Sequence, residues 1–166
     1  MNSRIFTAQV NDAIGANEVL SKLQPFSKRR LIAGVRFQVL ERATVICHEE
    51  APAVRFWLVL RGEVKLVKYT TRGSALLIDL VLPNELFGTV FYHHKPVYSC
   101  TAVTMQRTEL LSFRLKDFID GLDRNPALQK TLLADTSYKL CQAQQMRALW
   151  LEQAGVRIAH LLVYLY

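Results

Sequence analysis

The stretch Arg55–Gly88, RFWLVLRGEVKLVKYTTRGSALLIDLVLPNELFG, decides how the rest of the chain is read. Three apolar runs within it read as strands: Phe56–Leu60, Glu63–Tyr69 and Leu76–Leu82. Arg61–Gly62 separates the first two, and Thr70–Thr71–Arg72–Gly73–Ser74 separates the second and third. In the third run Leu76, Ile78, Leu80 and Leu82 alternate with Leu77, Asp79 and Val81, the period of a pleated strand. Glycine at each connection supplies the positive φ that tight turns take. Pro83–Asn84 ends the run, and Glu85–Leu86–Phe87–Gly88 leads into a loop. The spacing predicts a β-meander that feeds this loop.

Upstream, Ala16–Leu23 and Ser27–Val35 read as two short helices parted by Pro25, with Leu20, Leu23, Leu31 and Ile32 on their buried sides. Phe37 and Val39 alternate with polar neighbours as a first strand. Thr44–Cys47 is a second, ending in the polar turn His48–Glu49–Glu50–Ala51–Pro52. Downstream of the loop, Tyr98–Met105 and Glu109–Phe113 read as further strands. Short strands at near-regular spacing predict a mainly β fold with flanking α: an antiparallel β-roll, a jelly-roll-like double-stranded β-helix.

From Leu115 the character changes. Leu115–Leu122 is a short amphipathic helix, and Asn125–Pro126 is a helix-start signal. No glycine or proline interrupts the chain from there to about Gln153, enough for a helix about 40 Å long. Leu133, Thr136, Leu140, Ala143 and Trp150 recur on it at three- and four-residue steps, apart from the Arg147 position, as the seam of a packed helix pair does. Packing on its own β-domain is the plainer use of that stripe, and homodimerisation the sharper one. Arg157–Tyr166 (RIAHLLVYLY) begins another helix and stops within an apolar run, so a further domain is expected to follow. The expected division is 1–124 β-roll, 125–154 long helix and 155–166 the start of a last domain.

The 166 residues suffice for a core, being 51% hydrophobic and 21% charged. No apolar run nears the ~20 residues of a membrane span, and MNSRIFTAQVNDAIG lacks the pattern of a signal peptide. Three widely spaced cysteines, Cys47, Cys100 and Cys141, suit reduced thiols of a cytoplasmic protein. Cys100 and Cys141 read as small buried apolar residues rather than sensors. The net charge of +7 permits an anionic partner without naming one. Lys28–Arg29–Arg30 reads as a solvated helix face. Lys65, Lys68, Arg72 and Arg107 are the cations that could favour an anion, although their alternation with apolar residues turns most to solvent. An enzyme is not indicated, for there is no HxH with a following carboxylate and no nucleophile–base pair at a telling spacing.

Together these pieces resemble the sensor region of CRP/FNR bacterial transcription regulators. The resemblance rests on the strand–Arg–Gly–strand step at Phe56–Val64 and on Leu82–Pro83–Asn84–Glu85–Leu86–Phe87–Gly88, similar to the family's entry to its effector loop. It rests also on the order Asn125–Pro126, long helix, Arg157–Ile158–Ala159. It implies a homodimer joined by the long helix, with a helix-turn-helix domain that reads DNA and contacts RNA polymerase, and no membrane partner. It places the effector site at Glu85, Leu86, Phe87, Gly88, Thr89, Tyr98 and Ser99, with Ala143 and Gln144 of the long helix facing the ligand.

In nucleotide-binding members a glutamate follows the glycine and an arginine pairs with the cyclic phosphate. Here Thr89 and Tyr98 stand at those places, which argues against cyclic AMP. An iron–sulfur cluster is excluded because residues 1–46 hold no cysteine. Haem is the remaining cofactor of the family, with His93 and His94 as ligand candidates against their plainer reading as polar loop residues. Cys47 and His48, neighbours on a strand, point to opposite faces and cannot share a metal. Three functions stay open: a sensor for an unnamed effector, a haem-based gas sensor, and a cyclic-nucleotide regulatory domain of a channel or enzyme.

Overall fold

The computed structural model describes residues 3–70, 73–89 and 96–149. The chain divides into two units between Pro126 and Ala127. The first begins with α1 (Ser3–Ala16), a 3-10 turn (Leu20–Lys22) and α2 (Pro25–Ala33). Eight strands follow: β1 (Arg36–Leu40), β2 (Val45–Cys47), β3 (Arg55–Arg61), β4 (Val64–Tyr69), β5 (Ala75–Val81), β6 (Leu86–Phe87), β7 (Thr101–Thr104) and β8 (Thr108–Arg114). The unit closes with α3 (Leu115–Leu122). In the second unit the described chain is one helix, α4 (Pro126–Leu149).

Two antiparallel four-stranded sheets form the roll, in the orders β1-β8-β3-β6 and β2-β7-β4-β5. The mainly β architecture is thus the expected one, but its centre is wired differently. β3 and β4 are not a meander: β3 pairs with β8 and β6, whereas β4 pairs with β5 and β7. Arg61–Gly62 carries the chain from one sheet to the other. Gly62 does this at φ +85°, and a Cβ there would stand 2.6 Å from Thr108 Oγ1 and 2.8 Å from the Arg107 carbonyl. β3 shows why the step was misread. Phe56, Trp57, Leu58 and Val59 are all buried, so both faces of the strand are covered and its sequence carries no alternation to assign a partner. The β4–β5 hairpin is as expected.

One face of the first sheet packs on helices. Phe56 stacks on Phe113 at 5.2 Å and meets Phe118 of α3 edge-on, also at 5.2 Å. The other helix at this layer, α2, approaches α3 closely enough that a Cβ on Gly121 would lie 2.9 Å from Ser27 Cβ. Arg30 bridges the pair, with Nε 3.1 Å from Asp117 and a terminal nitrogen 2.8 Å from Asp120. Arg30 therefore does more than present charge to water, as the reading of its triplet had it.

The N-terminal helices also differ from expectation. α1 precedes the place where a helix was expected, and Ala16–Leu23 holds only the 3-10 turn. Asn17 is the cause. Its side-chain oxygen accepts from the backbone N–H of Leu20 at 2.9 Å and of Val19 at 3.2 Å, a local bond that competes with helix continuation. Leu20, Leu23 and Leu31 are buried as expected, while Ile32 is only half-buried.

Of the cysteines, Cys100 is buried, but Cys141, expected to be buried too, is exposed on α4. Cys47 is half-buried on β2, where burial, above all, pushes its thiol up to about 11. The fold therefore holds the neutral thiol while an unfolded chain ionises near its usual ~8.5. The stability this contributes is present below that pH and is lost as pH rises toward 11. We expect the urea midpoint to fall over that window and the fall to be smaller in Cys47→Ser. At pH 8 iodoacetamide should modify Cys141 well before Cys47; equal rates would contradict the burial of Cys47.

Candidate functional site

The site is built on the turn that follows β5. Asn84 adopts φ +71°, a conformation that asparagine tolerates better than most residues. Its N–H donates to the Val59 carbonyl at 2.8 Å, and the Val59 N–H donates to Glu85 O at 3.1 Å, so the turn is pinned to the centre of β3. Asn17 Nδ2 donates to the Asn84 carbonyl at 2.8 Å, and Asn84 Nδ2 donates to the Ala16 carbonyl at 3.1 Å. This reciprocal clasp ties the end of α1 to the loop. The sequence marked Asn84 only as the end of a run and assigned no role to Asn17.

The candidate residues then fall into distinct roles. Glu85 is exposed, and its carboxylate accepts the Leu82 N–H at 2.7 Å, so it braces its own turn. Leu86 and Phe87 form β6 against Trp57 and Leu58, and Phe87 stacks on Trp57 at 5.2 Å. Gly88 has φ +73°, and a Cβ there would stand 2.8 and 2.9 Å from carbons of the Trp57 ring. Thr89 and Ser99 are exposed, and the Ser99 hydroxyl donates to Cys100 Sγ at 3.8 Å.

Tyr98 is the residue that decides the chemistry. It is buried, with its ring 5.6 Å from that of Trp57. Its hydroxyl donates to the Arg55 carbonyl at 2.9 Å and accepts from the Arg55 N–H at 3.3 Å. The phenol therefore closes the start of β3, and desolvation raises its pKa above the ordinary tyrosine value. Its own backbone pairs with Glu50 and Ala51, and Glu50 takes φ +65° to allow this. Glu50 belongs to the polar turn that ends β2.

Trp57 thus gathers Phe87, Gly88 and Tyr98 around one indole, whose N–H donates to Gln38 Oε1 at 3.3 Å. Sequence reasoning missed Trp57, since nothing in an all-apolar strand marks one residue as the hub. His93 and His94 lie outside the described residues, as do Trp150 and Arg72. Ala143 and Gln144 are exposed on α4, as are Leu133, Thr136 and Leu140.

Residues 37–125 match the family model described as cyclic nucleotide-binding domain. This chain belongs to that family. Its homologues are CRP/FNR-type regulators. It is 28% identical to the Global nitrogen regulator of Nostoc sp., across 66% of this chain and 50% of the relative. It is 30% identical to the Cyclic AMP receptor protein of Thermus thermophilus, across 66% of this chain and 51% of that protein. The chain thus spans about half the length of the curated relatives it matches. Among solved structures, the sensor domain of the transcriptional regulator DNR from Pseudomonas aeruginosa superposes with a TM-score of 0.75 at 22% identity, covering 84% of this chain and 94% of that one.

A cyclic nucleotide, the ligand after which the family is called, does not fit the described residues of this segment. Among the described residues of 85–99 none is cationic, and Tyr98 has both sides of its hydroxyl committed. A buried phosphate without a cation keeps a desolvation cost of a few kcal/mol unrepaid. Of the four cations considered from the sequence two are paired, Lys68 at 2.6 Å from Glu49 and Arg107 at 3.7 Å from both Glu41 and Glu109, while Arg72 lies outside the described residues. Removing the phenol tests how far Tyr98 is structural. Tyr98→Phe leaves the ring but strands a buried N–H and carbonyl of Arg55, and should cost about 1–2 kcal/mol in urea denaturation. A neutral result would mean that the hydroxyl is available to a ligand.

Proposed function

We propose that this chain is the effector-sensing and dimerisation region of a CRP/FNR-type transcription regulator that does not respond to cyclic AMP. The observation that carries the second half is Tyr98: the place of the phosphate-pairing arginine holds a buried phenol bonded to the backbone of β3. Support for the first half is the family and the regulator homologues. In this reading the Glu85–Ser99 segment receives a small effector, α4 pairs two copies, and occupancy shifts the population between two arrangements of DNA-reading domains. A cytoplasmic location, contact with RNA polymerase in the whole protein and the lack of a catalytic role belong to the same proposal.

The test is native mass spectrometry with an absorption spectrum and a cyclic AMP titration of the same sample. A dimer that ignores cyclic AMP agrees with the proposal. Saturable cyclic AMP binding would overturn its second half, and a Soret band would turn the reading to the haem sensor, with His93 and His94 the first residues to replace. A monomer at all concentrations would remove the dimerisation role.

A further inference from the structure

Three arginines share one face at one end of the first sheet. β8 lies between β1 and β3. Arg36 of β1 is opposite Ser112, and Arg55 of β3 is opposite Arg114. Directly opposed residues, and residues two apart on a strand, share a face. Arg36, Ser112, Arg114 and Arg55 therefore project from the same side. Like charges set directly opposite each other in a ladder are unfavourable, and here a third adjoins them.

Among the described residues no carboxylate lies within ion-pair distance of the three guanidinium groups. Arg55 is half-buried and donates only to uncharged acceptors: the hydroxyl and carbonyl of Ser112, and the Gly34 carbonyl at 3.1 Å. Arg36 and Arg114 are exposed, and among the described residues neither has a carboxylate within ion-pair distance. Asp117 Oδ2 and Arg114 Nε stand 3.2 and 3.1 Å from the same Cβ position of Gly34, so one carboxylate lies beside the group, with its other oxygen held by Arg30. Burial, then the fields of Arg36 and Arg114, hold Arg55 below the ordinary arginine pKa. The Ser112 hydroxyl, itself buried, accepts from Arg55 Nε and has its own proton uncommitted.

We propose that Arg36, Arg55 and Arg114 form a site for a dianionic oxyanion of the phosphate class, either inorganic phosphate or the phosphate of a monoester. Planar guanidinium forks match the oxygens of such an ion. Arg55, fixed by its backbone acceptors, supplies charge from behind, while the two exposed arginines close on the ion and Ser112 can donate to it. Three cations on one face across three adjacent strands suit a compact dianion better than an extended acidic segment. None of the three arginines belongs to the effector segment, and the proposal does not rest on the regulator reading, although Tyr98 of that segment bonds the backbone of Arg55.

Calorimetric titration and thermal melts of the purified protein, in sodium phosphate against chloride at matched ionic strength, test the proposal. Phosphate should bind and raise the melting temperature where chloride does not. In Arg36→Gln/Arg114→Gln the affinity should fall at least about tenfold, the loss of one charge-assisted bond or more. Without phosphate that variant should melt no lower than the parent, since it relieves repulsion, so lost binding will not reflect unfolding. Arg42→Gln, an exposed arginine elsewhere, should bind as the parent does. Glycerol phosphate binding more tightly than phosphate would identify a monoester as the source, and the reverse would identify the free ion. No phosphate-specific effect, an unchanged double variant, an equal loss in Arg42→Gln, or binding of polyglutamate in place of phosphate would each overturn the proposal.

Discussion

Gly88→Ala is expected to destabilise the protein by about 3–4 kcal/mol, a large part of the stability of a domain this size. Two costs add. At φ +73° an L-residue is disfavoured by about 1–2 kcal/mol. The new methyl would also stand 2.8 and 2.9 Å from the Trp57 ring, and overpacking of a filled core costs about 1–3 kcal/mol more. The ring has nowhere to go, because Phe87 stacks on it, Tyr98 leans against it and Gln38 accepts its N–H. Urea denaturation checks the total. Gly73→Ala is the comparison, since Gly73 shares a positive φ of +80° but has nothing within 4 Å of the Cβ position. Its loss should be confined to the backbone term, about 1–2 kcal/mol. Equal losses at the two positions would mean that the contact with Trp57 adds nothing, and that the segment is not anchored as described.

The same residues show what the sequence makes legible. Strands of one apolar run each were readable, because the run, the turn glycine and the period are local properties. Which strands pair was not. The partner of β3 is β8, about fifty residues on in the chain, and a strand buried on both faces has no polar face to set its place. α1 carried a signal, Val10 and Ile14 buried one turn apart, but Asn17 reads equally as a start or a stop until its bonds are known. At the site, the position of Tyr98 could be assigned by resemblance, and the loss of a phosphate partner with it. That its hydroxyl closes onto Arg55, and that Trp57 gathers the segment, depends on side chains from strands far apart in sequence. The arginine cluster was invisible for the same reason, being assembled by register across three strands.

With α4 pairing two copies, as proposed, Leu140→Lys should convert the dimer to monomer, raising the dissociation constant more than about 100-fold. Leu133 and Leu140 lie two turns apart on α4 and are 69% and 58% exposed, respectively. Thr136 and Ala143, also exposed, complete the stripe at three- and four-residue steps, the spacing that keeps a seam facing a partner helix. Exposed leucines in such a line need a partner surface, and a second copy offers an identical one. In a two-fold dimer each substitution acts twice. Losing two buried leucines forgoes about 3–6 kcal/mol at 1.5–3 kcal/mol each, before any cost of facing two lysines across the seam. Even half of the lower figure, counted over both copies, exceeds tenfold, and the charge carries it further. Lysine is nearly as good a helix former as leucine, so α4 should keep its helicity and the effect should fall on association. Sedimentation equilibrium measures it, with circular dichroism on the same samples. Tyr138→Lys is the control: Tyr138 is as exposed, at 64%, but at 100° per residue it lies on the opposite side of α4 from Leu140. If both variants stay dimeric, α4 is not the seam. If both dissociate, association depends on the whole helix and not on this stripe.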